Sequence, residues 1–290
     1  MMMRDASFGA LALLGFCVFE ALLLRAVLPP LDAANVLAPL EDPPFFLPED
    51  VFDTTIWTWG TDYVISFALG CLIFAKRDAF CSPRARSASG VLIVVSNALS
   101  TLLGGVAHQL AGLSDNKTQF MNSPLFRYLW FSCIGSVVFS GCVQGIKGNE
   151  IAASTPQSRL LPIPKLVWII MYAAALLWVF FGGLSCRRAA YDVFLCGAVQ
   201  APGAIFLYLA VIESIWMQMG KNKRVDKKIL PVFAPIFGLA PTIFLYPLLA
   251  GRLPPPAMNA FLHAILLIAW TLQGYSLAHL EESTNRKKKQ

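Results

Sequence analysis

The chain has 290 residues, 57% of them hydrophobic and only 14% charged, with 23 Lys and Arg against 17 Asp and Glu. A soluble domain is about one quarter charged, so this deficit, with a mean hydropathy of +0.61, leaves no room for a sizeable soluble domain. The net charge of +6 does not point to nucleic acid, because the basic residues sit in short segments between apolar runs, where lipid headgroups and the orientation of the spans account for them.

Apolar runs of about twenty residues recur along the chain, which reads as all-α, a polytopic transmembrane helical bundle. No alternating ten-residue pattern suggests a membrane β-barrel. Residues 1–28 hold a first apolar run, interrupted by Glu20 and closed by Arg25 and Pro29-Pro30. It is either a retained signal anchor or a cleaved signal peptide; the internal charge and the poor cleavage pattern favour the anchor. Residues 29–55 are rich in proline and carry Asp32, Glu41, Asp42, Glu49, Asp50 and Asp53 without Lys or Arg, a lumenal loop. Seven core spans follow, at 56–75, 88–113, 125–146, 166–185, 190–218, 229–250 and 257–279, so that 56–279 is the bundle and 280–290 a basic cytosolic tail. The segment KGNEIAASTPQSRLLPIPK is the longest interior loop. Pro202, Pro235 and Pro241 fall inside spans, where neighbouring helices satisfy the freed carbonyls. Seven cysteines occur without a CxxC pair, mostly in apolar runs, and read as small buried hydrophobes.

One set of loops carries Lys76, Arg77, Arg84, Arg86, Lys147, Arg159, Lys165, Lys221, Lys223, Arg224, Lys227 and Lys228, and the tail adds Arg286 and Lys287 to Lys289. The opposite set carries only Arg25, Lys117, Arg127, Arg187, Arg188 and Arg252. The positive-inside rule places the first set and the C-terminus in the cytosol. Asn116-Lys117-Thr118 is a glycosylation sequon in an expected lumenal loop. The ending Lys287-Lys288-Lys289-Gln290 resembles a dilysine signal for retrieval to the endoplasmic reticulum, or is an ordinary basic stop after the last span.

Ionisable side chains inside spans are costly and mark candidate sites. Asp62, His108 and His263 come from three separate spans, and each lies about 8–9 Å below the lumenal boundary at 1.5 Å per helical residue. Asp115 follows His108 by two turns, Asn259 precedes His263 by one, and Ser100 shares the His108 face with Gly104 between them. Gly104-Gly105 admits a neighbouring backbone or a lipid chain. Asp192 stands at the lumenal edge of its span. Two imidazoles and one carboxylate can hold a metal with open positions and activate water for hydrolysis; alternatively the three only join helix to helix. Away from this level, His279 is expected to snorkel at the end of the last span, and Glu213 and Gln200 to line a cavity. The tryptophans Trp57, Trp59, Trp130, Trp168 and Trp178 are expected at the membrane interface and in packing.

An early-span histidine facing a last-span histidine resembles the CREST superfamily, which includes alkaline ceramidases and progestin and adiponectin-receptor-like proteins. The resemblance implies a seven-helix bundle over 56–279, a zinc ion, a membrane-lipid substrate and hydrolysis of a lipid amide. His108 matches the early-helix histidine and His263 one histidine of the last helix. Gly104 stands where the family pattern SxxxH has serine, and Leu267 where HxxxH has the second histidine. Asp62 is the candidate replacement ligand. The resulting expectation is metal-assisted hydrolysis of a lipid amide or ester, with His108, His263 and Asp62 as ligands and Asp115, with Asp62, handling the water. A non-enzymatic lipid-binding or receptor-like protein on the same scaffold is the alternative. A proton- or ion-coupled transporter is a third reading, disfavoured by the absence of an internal repeat.

Overall fold

The computed structural model describes residues 52–81, 88–155, 158–160, 163–181, 189–220, 225–237 and 253–287. The N-terminal anchor or signal peptide, most of the acidic loop and the last three residues lie outside them. The described residues are helical and form no strand. In chain order the helices are α1 (Ile56–Ala75), α2 (Arg77–Phe80), α3 (Ser89–Leu113), α4 (Lys117–Met121), α5 (Pro124–Ser154), α6 (Lys165–Phe181) and α7 (Ala189–Met219). A 3-10 helix (Lys227–Phe233) and α8 (Pro255–Lys287) complete the order.

Five of these are long and apolar enough to cross a membrane: α1, α3, α5, Gln200–Met219 of α7 and Pro256–Glu282 of α8. That is fewer than the seven core spans expected from the sequence. The apolar stretch of α6, Lys165–Leu177, is shorter. The expected span at 229–250 opens as a 3-10 helix, and its residues from 238 onward lie outside the described set. Phe67 and Phe74 on α1 and Trp216 on α7 are exposed on outer faces, as in a protein whose solvent there is lipid.

α5 is the central helix, packed against α3, α7 and α6, while α8 lies against α1, α3 and the 3-10 helix. Ser123 caps α5, accepting the Phe126 amide at 3.3 Å, and Pro124 takes the first helical position, which needs no N–H. Along α5 a Cβ on Gly145 would fall 2.5 Å from the Trp168 ring, so only glycine lets α6 come this close. Trp168 and Trp130 are buried in the core, in the packing role expected of them.

The sequence ends α5 at 146, but the helix runs on through Lys147, Gly148 and Asn149 to Ser154. The polar residues that suggested a loop have partners here. Lys147 meets Glu281 of α8, and Asn149 accepts the Ile163 amide at 3.0 Å while its own amide donates to the Ile163 carbonyl. α8 likewise continues past 279 to Lys287, through most of the segment read as a tail.

α1 and α8 run parallel, with Thr61 beside His263 and Lys76 beside Glu282. α3 runs against them, with Gly104 beside Asp62. The bundle therefore has a proximal end, where α1, α5 and α8 start and α3 finishes, and a distal end opposite. Each end holds a buried polar cluster.

Candidate functional site

The proximal cluster begins in the four residues ahead of α1. The Asp53 carboxylate accepts the Thr55 amide at 2.9 Å and the Thr58 hydroxyl, so it serves the first turn of α1 from two residues before the cap. Asn259 Nδ2 reaches in from α8, 3.4 Å from Asp53 Oδ2 and 3.3 Å from Thr58 Oγ1. Burial pushes the Asp53 carboxyl up, but the hydrogen bonds from Thr58, the Thr55 amide and Asn259 outweigh it and hold the group below the usual carboxylate range. Phe52 is buried and stacks on His108, with centroids 4.3 Å apart and planes 10° apart. Its carbonyl accepts the Lys117 ammonium. Burial lowers the Lys117 pKa while the Asp53 charge pulls it back up.

His108, on α3, is buried between Phe52 and the edge of Trp130. Its Nδ1 lies 2.6 Å from the Asp53 carbonyl oxygen. A carbonyl only accepts, so Nδ1 carries the proton and the neutral ring presents its lone pair at Nε2. Asp53 thus holds α1 with its side chain and α3 with its main chain.

His263 and Asp62 meet one layer deeper. Thr61 Oγ1 lies 2.6 Å from Trp57 O, 2.9 Å from Thr58 O and 2.7 Å from His263 Nδ1. It accepts from Nδ1 when that nitrogen carries the ring proton and donates to it when Nε2 does. His263 Nε2 lies 3.4 Å from Asp62 Oδ1, so the imidazole and the carboxylate can share one proton in a buried setting. Gly104-Gly105 makes this approach possible, as the sequence suggested. A Cβ on Gly105 would fall 2.8 Å from Tyr63 and 3.1 Å from Asp62 Cβ. Ser100 pairs with Cys133 Sγ at 3.5 Å on the α5 side.

Of the residues singled out in the sequence, Asp62 and His263 face one another and Asn259 joins their end of the bundle. His108 sits beside them, engaged with the Asp53 main chain. Asp115 is exposed on the turn after α3, and the Asp192 side chain lies outside the described set. Among the described residues, no three His, Cys, Asp or Glu side chains gather closely enough to hold a metal ion. The potential ligands brought face to face are Asp62 and His263. Asp53, Thr58 and Thr61 were not among the sequence candidates. Their signals were there: Asp53 two residues before a helix cap, and Thr58, Thr61 and Asp62 spaced to share one helical face.

The distal cluster is denser in charge. The buried Lys147 ammonium donates to Glu281 and lies 3.5 Å from Glu150 Oε2, which also accepts the Ser89 hydroxyl at 2.8 Å. His279 lies three residues before the end of the apolar stretch of α8 and reaches Asp226 Oδ2 at 2.5 Å. That hydrogen bond holds the Asp226 carboxyl below its usual range against the opposing effect of burial. Glu213 accepts from the Ser158 hydroxyl and the Arg159 and Leu160 amides, and so pins the connection between α5 and α6. No family model matches the chain, and neither curated proteins nor solved structures give a match.

Proposed function

We propose that this is a multi-pass endomembrane protein acting on a membrane lipid at the proximal end of its bundle, by acid–base chemistry centred on Asp62 and His263. The observation behind this reading is the pair itself: His263 Nε2 faces Asp62 Oδ1 at 3.4 Å, with Thr61 beside Nδ1. Such a pair carries one negative charge without an added proton and none with it. As a general base it takes a proton from water. The oxygen then bonds to a lipid ester or amide carbonyl carbon, the C–O or C–N bond breaks, and the proton passes to the leaving alcohol or amine. Asp53 and His108 fix the segment ahead of α1 over this site and are positioning residues. The distribution of Lys and Arg supports a lumen-facing proximal end and a cytosolic C-terminus, and the CREST-like placement of His108 and His263 supports a lipid amide as substrate.

The test is turnover of a ceramide and of acyl-ester lipids by the purified protein. Asp62→Asn and His263→Gln should each lower turnover by a factor of about 10² or more. A lipid that co-purifies intact, with no product from wild-type protein, would transfer the site to the second reading, non-enzymatic lipid binding. The closed aromatic packing on both sides of His108 favours that alternative.

A further inference from the structure

Between the two ionisable clusters, six side chains of α3, α5, α7 and α8 keep a buried polar atom that nothing in the described structure hydrogen-bonds, and Trp168 Nε1 on α6, packed on Gly145, is a seventh. They are Asn97 Oδ1 on α3, Gln144 Oε1 on α5, Gln200 Oε1 and Tyr208 Oη on α7, and Thr271 Oγ1 and Gln273 Nε2 on α8. Asn97, Gln144, Gln200 and Gln273 are each 1% exposed. Lipid offers such atoms no partner.

Helix pairings place all six in one band. α3 runs against α5 with Gly104 beside Cys133 and Ser89 bonded to Glu150, so Asn97 falls level with residues close to 141 on α5. Gly274 lies against Val94, which brings Thr271 and Gln273 to the same depth. Gln144 and Gln200 both donate to Ser140 Oγ, at 3.2 and 3.3 Å, and their amide oxygens are left over. Leu207 packs at Gly148, which puts Tyr208 at the distal edge of the band. The Asp62–His263 pair adjoins it at the level of Cys133, and Lys147 with Glu281 and Glu150 at the other side. Cys133 and Lys147 stand about 20 Å apart along α5.

The chemistry of the six atoms selects their ligand. Three are amide oxygens, one is an amide donor and two are hydroxyls. A cation would be repelled by the Gln273 amide and an anion by the three carbonyl oxygens. Water both donates and accepts and satisfies the whole set.

We propose that this band holds internal waters that carry protons between the Asp62–His263 pair and the Lys147–Glu281–Glu150 cluster, making the bundle a proton-conducting path. A proton taken from one aqueous face onto the shared site between Asp62 and His263 passes to the first water. Each water in turn hands one on, and a proton leaves at the distal cluster, with no bond to carbon made or broken and no redox change. Groups facing the proximal pair from the surrounding elements are Tyr63, Asp53, His108, Lys117 and Cys133. The inference rests on the reading of that pair as a proton site and is independent of lipid turnover.

The experiment reconstitutes the full chain into liposomes with a trapped pH dye and a potassium gradient, and starts flux with valinomycin. Wild-type protein should acidify or alkalinise the lumen faster than protein-free liposomes do. Gln200→Leu and Asn97→Leu should bring the rate down to the protein-free level while leaving lipid turnover unchanged, and Asp62→Asn should abolish both. Wild-type flux equal to that of protein-free liposomes overturns the path without bearing on the hydrolysis reading. So does undiminished flux in folded Gln200→Leu, its folding checked by a monodisperse elution peak. Should that variant not fold, the wild-type rate alone decides.

Discussion

The two ends of the bundle both bury an acid against a base, yet they complete their bonding differently. At the distal end Lys147 brings only donors and Glu281 and Glu150 bring only acceptors, and Ser89 adds another donor. One ammonium faces two carboxylates there, and Glu150 Oε1 keeps no hydrogen-bond partner in the described structure. At the proximal end His263 Nε2 and Asp62 Oδ1 face each other at 3.4 Å, and the Thr61 hydroxyl beside Nδ1 can donate or accept, so the ring proton has two places to sit. An ionisable residue inside a span is therefore not enough to mark a chemical site. The donors, acceptors and charges around it have to be counted as well.

The largest effect should come from breaking the clasp. Glu281→Ala leaves the buried Lys147 ammonium with Glu150 alone, 3.5 Å away, and should cost about 3 kcal/mol of stability, measured by thermal unfolding in detergent. Adding Lys147→Met in the same chain should recover most of the loss, since it removes the stranded charge. A Glu281→Ala protein as stable as wild type would erase the distinction between the ends.

Asp62→Asn should do the reverse. It removes the proton-sharing partner but leaves a side chain of the same size against Gly104, so the melting temperature should hardly move while turnover falls by a factor of about 10²–10⁴. A smaller change is expected for Thr61→Val, which keeps the volume and deletes the hydroxyl beside His263 Nδ1. One lost hydrogen bond of about 1–1.5 kcal/mol corresponds to a roughly tenfold loss in turnover. An unchanged rate would mean that the ring proton is placed by other groups.

The helices were legible because lipid imposes a simple rule: long apolar runs must pair their own backbone. The boundaries of α1, α3 and α7 are close to those read from the sequence. α5 was cut short because Lys147, Gly148, Asn149 and Glu150 look like a polar loop when no partner is in view. Their partners are Glu281 on α8, Phe206 and Leu207 on α7, Ile163 just ahead of α6 and Ser89 on α3, most of them far away in sequence. The same blindness hid the clasp, since Lys147 was counted as a loop charge and Glu281 as part of the tail. At the proximal end, counting depth along helices brought Asp62 and His263 to one level, and they do face each other. Depth says nothing about rotation around the helix axis or about what a short strap does, so Phe52 and Asp53 were missed, and with them the bond that occupies His108 Nδ1.

The subtlest test concerns that strap and is one of pH. The Asp53 carboxyl titrates below its usual value in the folded chain, held there by Thr58, the Thr55 amide and Asn259 against the upward push of burial. A carboxyl whose folded pKa is depressed adds stability that is fully present above its unfolded value of about 3.9 and is lost as pH falls through the folded value. Wild-type protein should therefore lose about 1 kcal/mol of this contribution, the scale of one helix cap, as the pH drops below about 4. Asp53→Asn should be weaker by that amount at pH 7, and the difference between the two proteins should shrink on acidification. Other carboxylates titrate in the same range, so the comparison has to be made as wild type minus variant at each pH, by thermal unfolding. A difference that stays constant from pH 7 to pH 3 would mean that neutral hydrogen bonds alone hold the strap, and that the Asp53 charge plays no part in closing the proximal end.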